Sequence, residues 1–390
     1  MSFSSIKWKH YINYIVIGAI ALVFVALALT GNVSMANEFL MEKITIGVIL
    51  AVSLQLVVGF LGELSLGHAG FMCVGAYLGG KVSVLLVNAS GAGDSLSASN
   101  GGPWVLLVSL IAGGLCAAVC GVIIGLPALR LKGDYLAIVT LAFGEIVRSI
   151  FQNTSAESFG GANGLPTPRY SRHELFLYAL VLVLIMLAVI QNLLRSRHGR
   201  AITAIRDSEI AAKATGINVT YYKLLAFTVS AFFAGIAGVL YSFSNYTVRC
   251  DQFDYNYSIE ILVMVVLGGM GSINGSIIAA TLVTFLNVKL TSILTGDLAV
   301  LKNLLYALIL VAIVIYNNAP AFKNFRTKYS VKNLFARIRK PSADPAKVRE
   351  DEAKWDRVPT KIAMDELLSL DISVSDTSKP DAPKKGDDRT

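Results

Sequence analysis

Ionisable side chains inside long apolar stretches are the residues of this chain with the strongest potential for chemistry. Glu63 and His68 lie in the glycine-rich stretch GFLGELSLGHAG (Gly59–Gly70), and Glu145 and Arg148 stand three residues apart in a later apolar run. Ionisable groups inside a membrane are costly, so they usually line a transport path or pair with one another. Glu63 and His68 are therefore candidates for pathway lining or gating. For Glu145 and Arg148 a structural ion pair is the alternative to a functional role.

The residue pattern does not favour an enzyme. No G-x-x-x-x-G-K-[ST] sequence is present, so a nucleotide phosphate loop is not expected. The four histidines show no metal-ligand spacing, because His10, His68, His173 and His198 are far apart in the chain. The sequence therefore predicts no catalytic residue, no metal site and no cofactor.

A second polar feature is GRAITAIRDSEIAAKATG (Gly199–Gly216), which we call the basic segment. It lies between two apolar runs that are each long enough to cross a bilayer. Its enrichment in Lys and Arg is typical of a cytoplasmic loop. Asp207 and Ser208 can cap a second short helix, which Gly216 would end. We expect two short helices at the cytoplasmic surface; an ordinary basic loop that only fixes topology is the alternative.

The composition indicates a membrane protein. Hydrophobic residues make up 54% of the chain and charged residues only 15%, below the roughly 25% of a soluble domain. The apolar runs are continuous rather than alternating, which favours helices over a β-barrel. The net charge of +8 is concentrated in a few loops, as membrane topology requires, and does not predict nucleic-acid binding. The expected fold class is an all-α polytopic membrane protein.

The apolar runs predict about eight to ten transmembrane helices with both termini in the cytoplasm. We expect a cytoplasmic N-terminus (1–10), a transmembrane domain (11–318), and a basic juxtamembrane stretch with a disordered tail (319–390). The individual predicted spans are 11–30, 44–58, 71–88, 104–129, 135–151, 175–194, 223–243, 258–267, a ninth that ends near residue 290, and 301–316.

Two glycine-rich breaks interrupt these spans, at Gly59–Gly70 and at GGMGSINGS (Gly268–Ser276). Broken helices in a membrane line cavities, and paired breaks point to a transport path. Small residues four apart, as at Gly75/Gly79 and Ala234/Gly238, predict close helix packing. The residues predicted for the translocation pathway are Gly62, Glu63, Ser65, Gly67, His68, Glu145, Gly268, Gly269 and Gly271.

The four cysteines do not suggest a disulfide framework. Cys73, Cys116 and Cys120 fall in apolar runs and are interpreted as small packing residues. Cys250 is expected to stand alone on an outer loop, NYTVRCDQFDYNY (residues 245–257).

Five linked motifs resemble the LivM-type permeases of branched-chain amino acid ABC importers over about Ile44 to Ala319. The motifs are LQLVVGFLGELSLGHAGFMCVGAY, LRLKGDYLAIVTLAFGEIVR, FGGANGLP, GRAITAIRDSEIAAKATGINVTYYKLLAFTVSAFFAGIAGVLY and SIEILVMVVLGGMGSINGSIIAA. The resemblance implies a permease in the bacterial cytoplasmic membrane. It also implies a heterodimer with a second related permease, two cytoplasmic ATP-binding subunits and an extracytoplasmic solute-binding protein. Nucleic acid is not an expected partner.

The resemblance further implies that the basic segment is the coupling segment that docks on the ATPase. Gly164, within FGGANGLP, joins the predicted pathway residues on the same ground. Glu63 stands where the family usually carries a neutral Gln, and Ser276 replaces a common Pro. The residues expected to couple to the ATPase are Gly199, Arg200, Ile205, Arg206, Asp207, Glu209, Ile210, Ala211 and Gly216.

Three other functions remain open at this point. A urea or short-amide importer would have a similar permease. A stand-alone secondary transporter would use Glu63 and Glu145 as proton or cation sites. A membrane scaffold without transport is a weaker alternative, because the glycine breaks and buried acids argue against it.

Overall fold

The computed structural model describes residues 35–89, 102–131, 133–170, 172–293, 307, 308 and 311. The predicted N-terminus (1–10), the first span (11–30), the stretch and tail at 319–390, and nearly all of the span at 301–316 lie outside these described residues.

Helices dominate the described chain. In chain order they are α1 (Met35–Gln55), α2 (His68–Ala89), α3 (Gly102–Ala128), α4 (Asp134–Asn153), α5 (Ala156–Phe159), α6 (Arg172–Arg195), α7 (Arg197–Asp207), α8 (Glu209–Ala214), α9 (Val219–Asn245), α10 (Tyr255–Gly268) and α11 (Ile273–Ile293). Two short strands, β1 (Leu165–Pro166) and β2 (Thr247–Val248), pair in antiparallel fashion.

Six of the described helices, α1, α2, α3, α6, α9 and α11, are long and apolar enough to cross a membrane. The predicted all-α polytopic class is therefore confirmed. The helix of the predicted span 44–58 begins earlier than expected, at Met35. The predicted span 258–267 corresponds to α10, whose 14 residues are fewer than the roughly 20 that a full crossing needs.

Helix α9 packs closely against α2 and α3 because glycines remove the side chains where the helices meet. A Cβ atom at Gly75 of α2 would lie 2.2 Å from the backbone oxygen of Gly235 in α9. At Gly238 the corresponding distance to the Met72 oxygen would be 2.0 Å. Two of the predicted small-residue spacings thus mark real helix contacts.

Helix α1 is buried on nearly all sides, which explains its continuous apolar sequence. It packs against α6, α9, α10 and α11. The basic segment lies at one end of the bundle, which we call the basic end. Helix α9 runs away from it, so Asn245 and the strands β1 and β2 lie at the other end, which we call the far end.

Cys250 is a free cysteine, as expected, but it is buried rather than exposed on its loop. Cys250 is 6% exposed, and its thiol forms a hydrogen bond with the Tyr77 hydroxyl at 2.8 Å. Phe253 of the same loop is 1% exposed. Burial raises the pKa of the Cys250 thiol above its ordinary value. Alternating apolar residues fold this loop back onto the bundle, so it forms part of the packed core.

Candidate functional site

The first glycine break follows a wide helical turn at the end of α1. Residues Leu56–Leu61 adopt π-helical geometry, which is often found at functional sites. Gly62 then takes a left-handed conformation with φ +80°, which favours glycine because it has no Cβ. The chain stays non-helical until α2 begins at His68. Helix hydrogen bonding is thus interrupted over six residues.

The second glycine break connects α10 to α11 and touches the first. Gly269 and Gly271 have φ values of +88° and +84°. A Cβ atom at Gly59 would lie 2.6 Å from the Gly271 nitrogen, so no larger residue fits there without a shift. The Gln55 side-chain nitrogen donates a hydrogen bond to the Gly269 oxygen at 3.0 Å. The two breaks therefore meet at the basic end.

The basic segment forms two short helices with well-defined ends. Ser196 caps α7 by accepting hydrogen bonds from the His198 and Gly199 nitrogens at 3.1 and 3.4 Å. Ser208 caps α8 by accepting from the Ala211 nitrogen at 3.3 Å. Gly216, with φ +84°, follows the end of α8 as the sequence predicts.

Apolar side chains of the basic segment pack on the first break. Ile202, Ile205 and Ala212 are buried in a cluster with Leu56 and Leu61 of the π-helical turn. Ile205, one of the residues expected to couple to the ATPase, faces inward and is 4% exposed, so it does not belong to an outward docking face.

Gly199 also packs inward. A Cβ atom there would lie 2.3 Å from the Leu194 oxygen at the end of α6. Gly199 thus allows α7 to approach α6 closely and presents no outward surface.

The outward face of the basic segment carries both charged and apolar groups. Asp207 has 65% of its side chain exposed, and Ile210 is 81% exposed. Arg200, Arg206 and Ala211 are exposed as well. A large aliphatic side chain so far exposed on a two-turn helix is a candidate contact for another protein.

Arg206 connects α7 directly to both breaks. Its Nη1 atom donates a hydrogen bond to the Gly59 oxygen at 3.2 Å. A Cβ atom at Gly62 would lie 2.7 Å from Arg206 Cγ, and one at Gly271 would lie 3.4 Å from Arg206 Nη1. The same guanidinium pairs with Asp207 at 3.0 Å. One side chain thus contacts the basic segment and the two breaks.

Lys223 supplies a second connection. It lies in the second turn of α9, is 3% exposed, and its Nζ atom contacts the carboxylates of Glu63 and Glu209. Glu63 belongs to the first break, whereas Glu209 begins α8 and lies 3.4 Å from Nζ. Lys213 pairs with the other Glu209 oxygen at 2.7 Å. The buried Lys223 thus bridges Glu63, which was predicted for the translocation pathway, and Glu209, which was predicted for coupling to the ATPase.

The remaining residues of the first break face α1 and α4. The His68 ring nitrogen Nε2 lies 2.8 Å from Ser53 Oγ. A Cβ atom at Gly67 would lie 2.6 Å from the Thr140 oxygen. Ser65 is 1% exposed, and its hydroxyl has no hydrogen-bond partner within the described part of the chain. The side chains of His68 and Ser65 are therefore accessible to a transported molecule only if the break changes conformation.

Two predicted pathway residues lie elsewhere. Glu145 pairs with Arg148 on α4 at 3.2 Å, which confirms the structural ion pair. Gly164, with φ +86°, lies at the far end, where a Cβ atom would come within 2.4 Å of the Val248 oxygen. Gly164 thus serves the β1–β2 contact. It lies away from the contact between the basic segment and the two breaks, which we call the junction.

Sequence reasoning missed Lys223 and Gln55. Lys223 begins a predicted span in the sequence analysis. As an ionisable residue in an apolar helix it is a functional candidate for the same reason as Glu63. Gln55 carried no signal in the sequence, because its partner Gly269 is 214 residues away. Among the described residues no cluster of three potential metal ligands is present.

Comparison with known proteins places the chain in a family. The family profile described as "Branched-chain amino acid transport system / permease component" matches residues 36–314. The chain belongs to this family. Members are components of transport systems rather than enzymes, and the six apolar helices agree with a multi-pass membrane permease.

Relatives of this permease family are found in bacteria and archaea. The high-affinity branched-chain amino acid transport system permease protein LivM of Escherichia coli is 37% identical over 311 residues, which cover 72% of this chain and 68% of LivM. A probable LivM of Methanocaldococcus jannaschii is 28% identical over 253 residues, which cover 58% of this chain and 73% of that protein. The ribose import permease RbsC of Escherichia coli is 28% identical over 130 residues, which cover 32% of this chain and 37% of RbsC. No solved structure matches the chain.

Proposed function

We propose that this chain is the permease subunit of an ATP-driven importer for branched-chain amino acids in a bacterial cytoplasmic membrane. Its partners in the proposal are a second related permease, two cytoplasmic ATP-binding subunits and an extracytoplasmic solute-binding protein. The permease family and the LivM relatives support this function. The basic segment then faces the cytoplasm, in agreement with its charge, and both termini lie on that side.

The observation that carries the proposal is the junction at the basic end. An exposed face bearing Asp207, Ile210 and Ala211 is joined through Arg206 to the Gly59 carbonyl of the first break. The face is suited to docking an ATP-binding subunit, because apolar anchors carry affinity while charges set steering and register. Movement of the docked segment is passed on to the breaks by hydrogen bonds and ion pairs.

The breaks are where such movement changes access to the pathway. Gly62, Gly269 and Gly271 hold backbone conformations that leave helix hydrogen bonds unmade. ATP binding shifts the transporter between its two access states only through a different affinity for each state. A segment docked rigidly to the ATPase supplies that difference, since its position relative to the breaks differs between the states.

The proposal predicts that Ala211→Glu weakens binding of the ATP-binding subunits. The added carboxylate lies beside Ile210 on the exposed face. A docked partner would either repel this charge or remove its water without replacing the lost hydrogen bonds. We expect ATPase co-purification and amino acid uptake to fall together by about tenfold or more, the change produced by losing one anchor contact. Co-purification with the tagged permease and uptake in proteoliposomes measure the two effects.

Ala89→Glu is the matched control, because Ala89 is exposed at the far end of α2. It should leave ATPase binding unchanged. Normal binding and uptake with Ala211→Glu would restrict the basic segment to a topological role and contradict the proposal.

The structure gives no support to a stand-alone secondary transporter. Its two candidate ion sites, Glu63 and Glu145, already have cationic partners in Lys223 and Arg148. Uptake driven by an ion gradient without ATPase or binding protein would nevertheless favour that alternative over the importer.

A further inference from the structure

A cavity of about 420 Å³ opens at the far end, away from the junction. Its walls come from α1, α9, α10 and α11. The volume lies within the range of roughly 300–1,000 Å³ that small-molecule sites occupy. The lining is mainly apolar and includes Phe39, Met264 and Val288. A few polar groups interrupt it, which is the usual composition of a ligand site.

One wall carries the side-chain nitrogen of Lys43. Lys43 Nζ donates a hydrogen bond to Asn245 Oδ1 at 3.0 Å and lies 3.8 Å from the centre of the Tyr241 ring. These partners are uncharged, whereas the neighbouring Glu42 turns to Arg172 and Ser244. The ammonium of a lysine has three donors and suits a carboxylate ligand.

Another wall carries an anion. Glu260 of α10 accepts a hydrogen bond from Asn287 Nδ2 of α11 at 2.8 Å, and both residues line the cavity. A carboxylate offers several acceptor positions on its two oxygens and can bind an ammonium group in addition to an amide. The cavity thus presents groups of both charges around an apolar surface.

Thr284 belongs to the same lining, but its hydroxyl does not reach the cavity. Thr284 is 8% exposed, and its Oγ1 has no hydrogen-bond partner among the described residues. It faces Gly47, where a Cβ atom would lie 2.6 Å from Oγ1. Because Oγ1 is closed off from solvent, Thr284 shapes the cavity wall without offering a polar contact to a ligand.

We propose that this cavity binds a zwitterionic α-amino acid with an aliphatic side chain. Lys43 binds the carboxylate and Glu260 binds the ammonium group. The side chain packs against Phe39, Met264 and Val288. This inference rests on the proposed function and adds a substrate-receiving site at the far end, where the solute-binding protein would release its cargo.

The test measures binding of radiolabelled leucine to the purified full-length permease in nanodiscs, without solute-binding protein. Thr284→Val is the matched control, because it removes a hydroxyl that does not reach the cavity and keeps the side-chain shape. It should leave leucine binding unchanged. Lys43→Met should weaken binding by more than tenfold, and Lys43→Arg should restore part of it.

Glu260→Gln tests the assignment of charges. The wild type should prefer leucine to 4-methylpentanoate, which lacks the ammonium group, and the variant should lose most of that preference. Leucine binding that is equal in the wild type and all variants would overturn the proposal. So would a phospholipid that co-purifies with the wild type, is lost from Lys43→Met, and prevents leucine binding.

Failure of this site is distinguishable from failure of the proposed function. If the cavity variants behave as wild type while Ala211→Glu still releases the ATP-binding subunits, only the cavity assignment is wrong. If Ala211→Glu has no effect on ATPase binding, the proposed coupling fails whatever the cavity binds.

Discussion

At the scale of single residues, Lys223 combines deep burial with two carboxylate partners. A buried charge is tolerated only when it is paired, and removing one partner of a buried pair is strongly destabilising. Glu63 and Glu209 are 13% and 20% exposed in their side chains, so both lie largely out of water. Without the lysine the two acids would face each other across the same small volume.

We therefore predict that Lys223→Met lowers the free energy of unfolding by about 3–5 kcal/mol. Lys213→Met is the matched control, because Lys213 pairs with the same Glu209 but is 60% exposed. Its loss should cost only about 0.5 kcal/mol. Thermal unfolding of the detergent-solubilised permease measures both changes. Similar small losses in the two variants would show that the buried bridge does not hold the junction together.

The double variant Lys223→Met with Glu63→Gln separates charge from shape. It removes the cation and one acid together, so we expect part of the stability lost in Lys223→Met to return. Recovery identifies the repulsion of unpaired acids as the cause of the loss. An additive result would instead indicate that the lysine side chain acts through packing.

At the scale of elements, the contact between α2 and α9 depends on glycines. Gly238 allows α9 to lie directly against the Met72 backbone of α2, where a Cβ atom would come within 2.0 Å. Gly238→Ala should therefore separate the two helices and reduce both thermal stability and the amount of permease in the membrane. Gly144→Ala is the control, because a Cβ atom at Gly144 would meet its nearest neighbour at 3.7 Å, an ordinary contact.

Membrane level and thermal midpoint of the two variants check this prediction. A Gly238→Ala variant as stable as Gly144→Ala would mean that the helices move apart at little cost, and the packing argument would be wrong.

The elements themselves were largely predictable from the sequence. Long apolar runs between basic loops locate the main spans, and Ser208 with Gly216 marks the ends of α8, because these signals are local. The burial of Cys250 was not predictable, because its partner Tyr77 is 173 residues away in the chain. The inward direction of Ile205 was predictable, because Ile202 and Ile205 stand three residues apart on the apolar face of an amphipathic helix.

At the scale of the whole molecule, the junction joins parts that are distant in sequence. Arg206 and Gly59 are 147 residues apart, and Lys223 and Glu63 are 160 residues apart. The sequence identified the basic segment and both breaks as separate features. It carried no signal that they touch, because long-range contacts depend on how the spans pack. Because the basic segment contacts both breaks, a movement of this segment acts on both of them.

Arg206 then separates docking from transmission. Its guanidinium holds the Gly59 carbonyl, whereas the exposed Ile210 and Ala211 form the surface proposed for docking. We predict that Arg206→Gln keeps the ATP-binding subunits attached but weakens the movement of the breaks. The assembled transporter in proteoliposomes should continue to hydrolyse ATP while uptake falls, so the ratio of ATP hydrolysed to amino acid imported rises several-fold.

Arg197→Gln is the control for this ratio. Arg197 is exposed at the start of α7, and its substitution removes the same charge as Arg206→Gln. It should leave the ratio unchanged. Arg206→Gln differs in this respect from Ala211→Glu, which should lower ATPase attachment and uptake together. If Arg206→Gln instead releases the ATP-binding subunits, Arg206 belongs to the docking surface. If attachment, hydrolysis and uptake all stay normal, the hydrogen bond to Gly59 does not transmit the movement, and the link through Lys223 would have to carry it alone.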